Sequence, residues 1–237
     1  MIDLRFAASA LIAVIVPFAV ARRAARRDGD VAYVMDVGFG ALVVGLAAAR
    51  VAAVALDDPA ELRDLKSMLS IRGGVELWAG VFAGAVYVGV RAARSHHDVW
   101  RVLASGTPLA IWGYATWEAT CLIRDGCFGP ISAIGLVPTG LTQRVLPVGL
   151  LVAVAVAVIA GVAWHWRQRA PILAVFGSAA SVAVVRAVAG FWLPALGDGL
   201  TRPHRESLVL ALFGVVAFLA LSIRRPASKP TSPFPTP

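Results

Sequence analysis

The composition of this 237-residue chain excludes a soluble domain, because 59% of its residues are hydrophobic and only 15% are charged, whereas soluble domains carry about 25% charged residues. A globule of this length must keep a large polar surface in water, so the chain is interpreted as an integral membrane protein. The formal net charge of +8 does not indicate nucleic-acid binding, since the arginines cluster beside apolar segments and not along one soluble face.

Seven apolar segments approach the length of about 20 residues that a helix needs to cross the hydrocarbon layer. In chain order they cover residues 6–21, 31–56, 74–91, 102–123, 146–164, 171–193 and 207–223. The sequence therefore predicts an all-α, polytopic membrane protein with seven transmembrane helices in one domain, residues 1–225. The polar, proline-rich residues 226–237 predict a disordered cytoplasmic tail.

The basic residues orient these segments through the positive-inside rule. The connections after the first, third, fifth and seventh segments are richer in arginine and lysine, and the acidic residues between 57 and 64 fall on the poorer side. This distribution predicts an N-terminus outside and a cytoplasmic C-terminus. The first segment follows Asp3 and precedes its arginines, which favours a retained helix over a signal peptide.

Four ionisable residues lie inside the apolar segments, each a few residues from the end that this topology places outside: Arg50, Glu76, Glu118 and Arg186. At 1.5 Å per residue they reach about the same depth, roughly 5–10 Å below the outer surface. Intramembrane charges are costly and usually mark a site, and two guanidinium groups at this depth suit a phospholipid phosphate. The alternative is that the charges join helices structurally or extend to the interface.

The fourth segment carries the most chemical groups. Tyr114, Glu118 and Cys121 share one helical face. A carboxylate among Trp117 and other apolar side chains is suited to act as a general acid or base. Alternatively, Glu118 accepts an interhelical hydrogen bond from Tyr114 or Thr120.

The two cysteines of the chain, Cys121 and Cys127, are six residues apart, which is not a zinc spacing. We therefore expect no metal, no cofactor and no disulfide, with Cys121 a small buried hydrophobe. The Gly80-x-x-x-Gly84 pattern predicts close helix approach. Among the four histidines, only His204 is expected near the level of the four charges.

Five blocks, taken in order, carry a resemblance to a known family. They are GLAAARVAAV (45–54), IRGGVELWAG (71–80), DVWRVLASGTPLAIWGYATWEATCLIRDGCFG (98–129), LTQRVLP (141–147) and VVRAVAGFW (184–192). Together they resemble the prolipoprotein diacylglyceryl transferase family, nearly end to end. The predicted arrangement of seven helices with the N-terminus outside is similar to that of the family.

The resemblance implies transfer of a diacylglyceryl group from phosphatidylglycerol to the lipobox cysteine of a prolipoprotein, at the outer face of the bacterial cytoplasmic membrane. The implied partners are phosphatidylglycerol or another anionic phospholipid, the lipobox peptide and membrane lipids. Arg50 and Arg186 match arginines of the family pattern and are the candidate phosphate-binding residues. The candidate catalytic residues are Glu118, Glu76 and Arg186; the two glutamates do not follow the family pattern, and in an active, divergent transferase one of them would replace the missing base that activates the thiol.

The sequence departs from the family pattern at several positions, so two hypotheses stay open. Trp78 replaces a histidine, Glu118 an arginine and Cys121 an asparagine; Gly126 replaces an acidic residue, and Leu146 and Gly190 replace two glutamates. One hypothesis is an active, divergent transferase, and the other is a non-catalytic relative that binds phospholipid or a membrane partner through the same pocket. A transporter with proline-broken helices is a third hypothesis, although the sequence shows no inverted repeat.

Overall fold

The computed structural model describes residues 4–57, 59–63, 76–124, 126–138, 142–193 and 202–223. Within these ranges it contains seven α-helices, namely α1 (Leu4–Ala25), α2 (Gly29–Asp57), α3 (Leu77–Arg94), α4 (Val99–Ala119), α5 (Val148–Trp166), α6 (Pro171–Gly190) and α7 (Arg202–Ile223). Each predicted segment overlaps one of these helices, which confirms the all-helical class. The predicted tail at 226–237 lies outside the described residues.

Four of the described helices, α1, α2, α5 and α6, are long and apolar enough to cross a membrane. Large apolar side chains are exposed along the bundle, for example Val154 and Val158 on α5 and Phe213 on α7, as expected for helices that face lipid. The chain is therefore a membrane protein. Three other helices carry more polar or charged residues, such as Arg91 and Arg94 at the end of α3, and the seven-span topology with its orientation stays a prediction.

Contacts at the helix ends show that successive helices alternate in direction. The Asp28 carboxylate, between α1 and α2, lies 2.7 Å from the guanidinium of Arg167, between α5 and α6. The ring of Tyr33, early in α2, stacks on His97, just after α3, with 4.0 Å between ring centroids. We call this level the Asp28 end of the bundle.

The opposite level joins the other helix termini. Phe6, at the start of α1, packs edge to face on Trp117, near the end of α4. The backbone N–H of Glu76, which precedes α3, donates a 3.0 Å hydrogen bond to the carbonyl oxygen of Ala49, late in α2. We call this level the Glu118 end, after the residue in the last turn of α4.

Helix α4 is the centre of the bundle and contacts α1, α2, α3, α5 and α6. Its start is fixed by Asp98, whose carboxylate accepts hydrogen bonds from the backbone N–H groups of Trp100 and Arg101, a usual N-cap. Its buried side chains join two apolar clusters, one with Val102 and Leu109 towards the Asp28 end and one that continues with α5 and α6 towards the Glu118 end.

Glycine allows α2 and α3 to approach closely, as the Gly80-x-x-x-Gly84 pattern predicts. A Cβ on Gly80 would lie 2.9 Å from the carbonyl oxygen of Gly45, and one on Gly84 would lie 3.4 Å from that of Ala41. The same crossing places Glu76, which precedes α3, beside the part of α2 that carries Arg50. This prediction is confirmed.

A short extended segment, which was not predicted from the sequence, joins α4 to α5. Strand β1 (Ile131–Leu136) runs antiparallel to residues 144–146, with a 3.0 Å hydrogen bond from the Ser132 N–H to the Arg144 carbonyl. Pro147 directly precedes α5, and Pro17 lies within the continuous helix α1. Neither proline breaks a helix, whereas the transporter hypothesis assumed helices broken by proline. Pro194, the third proline of that hypothesis, lies outside the described residues.

Candidate active site at the Glu118 end

Glu118 and Arg186, predicted from separate segments, meet at the interface of α4 and α6. The Arg186 Nη1 lies 3.6 Å from the Glu118 Oε1, and the two side chains keep 26% and 13% of their surface exposed. This separation is longer than a hydrogen bond, so the pair is electrostatic and not tightly bonded. The two charged groups are therefore neighbours that do not form a hydrogen bond with each other.

The hydrogen bond of Arg186 goes to Tyr114, one helical turn before Glu118. Its Nη1 donates to the Tyr114 hydroxyl oxygen at 2.6 Å, and the hydroxyl also interacts with the Glu118 carboxylate. Thr120 does not serve this role, because its hydroxyl donates to the carbonyl oxygen of Trp117 in its own helix. The hydrogen bond between α4 and α6 is thus accepted by Tyr114 and donated by Arg186.

A second guanidinium group, whose place in the site was not predicted from the sequence, completes this cluster. Arg124 lies beyond the helix end and folds back over the indole ring of Trp117, 3.8 Å from the ring centroid. Its Nη2 donates to the Trp117 carbonyl oxygen at 2.9 Å and to the Cys121 sulfur at 3.0 Å. The cation–π contact and the two hydrogen bonds hold this charge in one place. The signal in the sequence was the spacing, since Arg124 follows Cys121 by three residues and Trp117 by seven.

Cys121 and Cys127 form a disulfide, which corrects the expectation that they do not pair. After Ala119 the helix tightens into a 3₁₀ turn over Thr120–Leu122, and the chain then reverses. The backbone N–H of Gly126 donates to the Cys121 carbonyl, and Cys127 has a positive φ of 59°. This reversal brings the two Cα atoms to 5.7 Å, within the range that a disulfide requires. If the helix continued, the two cysteines would lie on different turns, about 9 Å apart along its axis.

Gly149, in the first turn of α5, provides the space for this disulfide. A Cβ at this position would lie 2.9 Å from the Cβ of Cys127 and 3.0 Å from that of Cys121. The Gly149 N–H donates to the Cys127 carbonyl at 3.1 Å. The start of α5 therefore packs directly on the disulfide loop.

The potential ligand atoms of Glu118, Cys121 and Cys127 lie within 4.8 Å of one another. Metal binding by cysteine requires a thiolate, and both sulfurs are bonded to each other in this structure. The observed arrangement is therefore not a set of metal ligands, and the absence of a metal stays a prediction.

Arg50 and Glu76 lie at the same end of the bundle, on the α2–α3 side. Both side chains are partly buried, and both residues make contacts within the structure. Trp78, two residues after Glu76, packs against the same apolar cluster as Tyr114. The structure thus joins Glu118 and Arg186 directly, and it brings the other two charges to the same level through neighbouring helices.

A cleft of about 420 Å³ opens between the start of α3 and α7, and its lining is Trp78, Arg205, Glu206, Val209 and Leu210. The wall is mostly apolar with one basic and one acidic residue. On the adjacent part of α7, His204 is buried against Phe191, and its Nε2 makes no hydrogen bond to a described residue. His204 therefore lies at the Glu118 end, as expected. The cleft beside it, between the start of α3 and α7, was not predicted from the four charged residues.

A sequence model for prolipoprotein diacylglyceryl transferase matches residues 4–223. The chain belongs to the prolipoprotein diacylglyceryl transferase family. This match covers all seven described helices and supports a transferase-like function in lipoprotein biosynthesis, with a lipid donor and a lipoprotein substrate in general. Among curated proteins, none matches the sequence significantly. The resemblance drawn from the five sequence blocks is confirmed.

Proposed function

We propose that the protein transfers a diacylglyceryl group from phosphatidylglycerol to the cysteine thiol of a lipobox peptide, at the outer face of the bacterial cytoplasmic membrane. The observation that carries this proposal is the meeting of Arg186, Tyr114 and Glu118 on α4 and α6 in a chain of this family. This cluster combines an anion-binding group with a carboxylate that can accept a proton.

In this proposal the arginines hold the phosphate that leaves. The thiolate sulfur attacks the glyceryl carbon, the bond from that carbon to the phosphate oxygen breaks, and glycerol phosphate departs with the electron pair. The leaving phosphate gains a negative charge, which fixed guanidinium groups stabilise in the transition state. Arg186 and Arg50 are assigned to this role, and Tyr114 orients the Arg186 guanidinium through the 2.6 Å hydrogen bond.

The thiol must lose its proton before or during the attack, and Glu118 is assigned as the acceptor. Its side chain is only 13% exposed, so few water molecules compete with the thiol for it. Glu76, at the start of α3, is the second carboxylate at this level and the alternative base. General-base catalysis contributes typically about 10²–10⁴-fold to a rate.

Two features support an outward-facing Glu118 end. Disulfides persist in oxidising compartments and are rare in the cytoplasm, and the Cys121–Cys127 disulfide lies at this end. Basic residues in the last turns of α1 and α3 lie at the opposite end, among them Arg22 and Arg91, as expected for the cytoplasmic side.

The second candidate function is a non-catalytic relative that binds phospholipid. It is favoured by the 3.6 Å approach of Glu118 to Arg186, because a carboxylate at this place partly neutralises the guanidinium that would act on the substrate. In that case the cluster would recognise an anionic headgroup without transferring its diacylglyceryl group.

Complementation separates the two functions. The gene is expressed in bacteria whose own transferase is depleted, and processing of a tagged prolipoprotein is followed by its shift on a gel. We expect the wild type to restore processing, Arg186→Ala to abolish it, and Arg94→Ala, at the exposed end of α3, to behave as the wild type. Normal insertion of the protein into the membrane without any processing would support the non-catalytic function.

A further inference from the structure

The Cys121–Cys127 disulfide has two sulfurs with different surroundings. Cys121 is buried, with 2% of its surface exposed, whereas Cys127 is partly exposed on the connection that follows α4. We propose that this disulfide is a site of thiol–disulfide exchange, at which an external cysteine thiolate attacks the Cys127 sulfur and Cys121 leaves as a thiolate. This activity goes beyond diacylglyceryl transfer and does not depend on it.

The surroundings of Cys121 suit a leaving thiolate. A thiol with a lower pKa leaves faster in disulfide exchange, and cationic neighbours stabilise thiolates. The Arg124 Nη2 already lies 3.0 Å from the Cys121 sulfur. This guanidinium is held by the Trp117 ring and carbonyl, so it requires no rearrangement when the negative charge develops on the sulfur.

One neighbouring group opposes that charge. The Glu118 Oε2 lies 3.8 Å from the Cys121 sulfur, and a carboxylate disfavours a nearby thiolate. Glu118 itself faces Arg186 at 3.6 Å and interacts with Arg124. Arg186 and Arg124 thus carry two positive charges that act on one carboxylate. The formal charge of these three groups is +1, which one thiolate can balance.

The exchange is balanced without an external oxidant or reductant. The sulfur–sulfur bond between Cys121 and Cys127 breaks, a new bond forms between Cys127 and the incoming sulfur, and the electron pair of the broken bond stays on Cys121. Attack of the Cys121 thiolate on the mixed disulfide reverses the step and releases the thiol. The incoming group is a cysteine thiol, either in a peptide such as a lipobox segment or in a small molecule.

Mass spectrometry of the intact, non-reduced protein in lipid nanodiscs tests the exchange. Free thiols are first blocked with N-ethylmaleimide, and the protein is then incubated with a single-cysteine peptide or with free cysteine. After a second treatment with N-ethylmaleimide, we expect a protein that carries one added thiol on Cys127 and one maleimide on Cys121. Reaction with the peptide alone would identify a peptide-binding site, and equal reaction with both would identify a general thiol site.

Two variants test the assigned roles. Arg124→Gln removes the charge beside Cys121 and should slow exchange about tenfold or more, the order expected for a charge-assisted hydrogen bond. Arg144→Gln removes an exposed charge at the same end of the bundle and should leave the rate unchanged. In Cys121→Ser protein, a mixed disulfide prepared on Cys127 with a disulfide-activated peptide should persist, because no thiolate can displace the peptide.

Several results would overturn the proposal. They are two free thiols in the protein as isolated, no adduct with either thiol at millimolar concentration, attachment to Cys121, or equal rates for the Arg124 and Arg144 variants. None of these assays requires diacylglyceryl transfer, so a negative result here leaves the complementation test intact, and the converse also holds.

Discussion

The hydrogen bond between Arg186 and Tyr114 allows a quantitative test of the candidate site. Arg186→Gln removes a charged donor that lies 2.6 Å from the Tyr114 hydroxyl oxygen, and Tyr114→Phe removes the hydroxyl group that accepts this hydrogen bond. Hydrogen bonds to charged groups contribute about 1.5–3 kcal/mol. The Arg186 side chain keeps 26% of its surface exposed, so we expect the lower part of that range, a coupling energy of about 1.5–2 kcal/mol between the two positions.

A double-mutant cycle measures this coupling as the free energy of unfolding in mixed detergent micelles for the wild type, both single variants and the double variant. The control cycle pairs Tyr114→Phe with Arg94→Gln at the other end of the bundle, where the two effects should add within about 0.5 kcal/mol. If the Arg186–Tyr114 coupling also fell within about 0.5 kcal/mol of zero, the hydrogen bond would not hold the guanidinium in place, and the assignment of Tyr114 as its positioning residue would be wrong.

Two further predictions concern the packing around the site and the opposite end of the bundle. Gly149→Ala should destabilise the protein by about 1–3 kcal/mol through overpacking, because its Cβ would lie 2.9–3.0 Å from the Cβ atoms of both cysteines. The control is Gly161→Ala in the same helix, where a Cβ meets nothing within 4 Å. This variant should be neutral or stabilising when its free energy of unfolding is measured in the same assay. At Asp28, burial raises the pKa, but the hydrogen bond from Arg167 and those from two backbone N–H groups outweigh it and hold the pKa below its ordinary value of 3.8. The stabilising contribution of this carboxylate is therefore present above pH 3.8 and is lost as the pH falls through the lower pKa of the folded state. When the free energy of unfolding is measured from about pH 7 downwards, the difference between Asp28→Asn and the wild type should shrink below about pH 4. A difference that stays constant down to about pH 2 would contradict this reasoning.

The sequence was sufficient for the features that depend on local pattern. Apolar runs predicted all seven helices, because a chain in lipid must satisfy its backbone groups within each segment. The glycine spacing predicted the α2–α3 contact, since Gly80 has no side chain to hold the backbones apart. The position of Glu118 and Arg186 near corresponding segment ends predicted that they would share one level, which their 3.6 Å approach confirms.

The features that the sequence did not predict depend on the shape of the chain beyond a helix end. Cys121 and Cys127 are six positions apart, and their pairing requires the 3₁₀ turn and the positive φ of Cys127. The place of Arg124 in the site was not predicted, because its contact with Trp117 exists only when the chain folds back. The cleft between α3 and α7 depends on helix placement, which periodicity alone does not determine.

The charge balance around Glu118 gives the sharpest separation of the two candidate functions. Glu118→Gln keeps the shape of the side chain and removes its negative charge, so Arg186 and Arg124 are left with a less anionic neighbour. If the protein is a transferase that uses Glu118 as its base, transfer to a lipobox peptide should fall by about 10²–10⁴-fold, while binding of phosphatidylglycerol to the purified protein should not weaken. If the protein only binds phospholipid, the same substitution should strengthen binding, because a carboxylate no longer competes with phosphate for the guanidinium groups, and transfer should be absent from both proteins. Unchanged transfer in Glu118→Gln protein would exclude Glu118 as the base and leave Glu76 as the carboxylate to test.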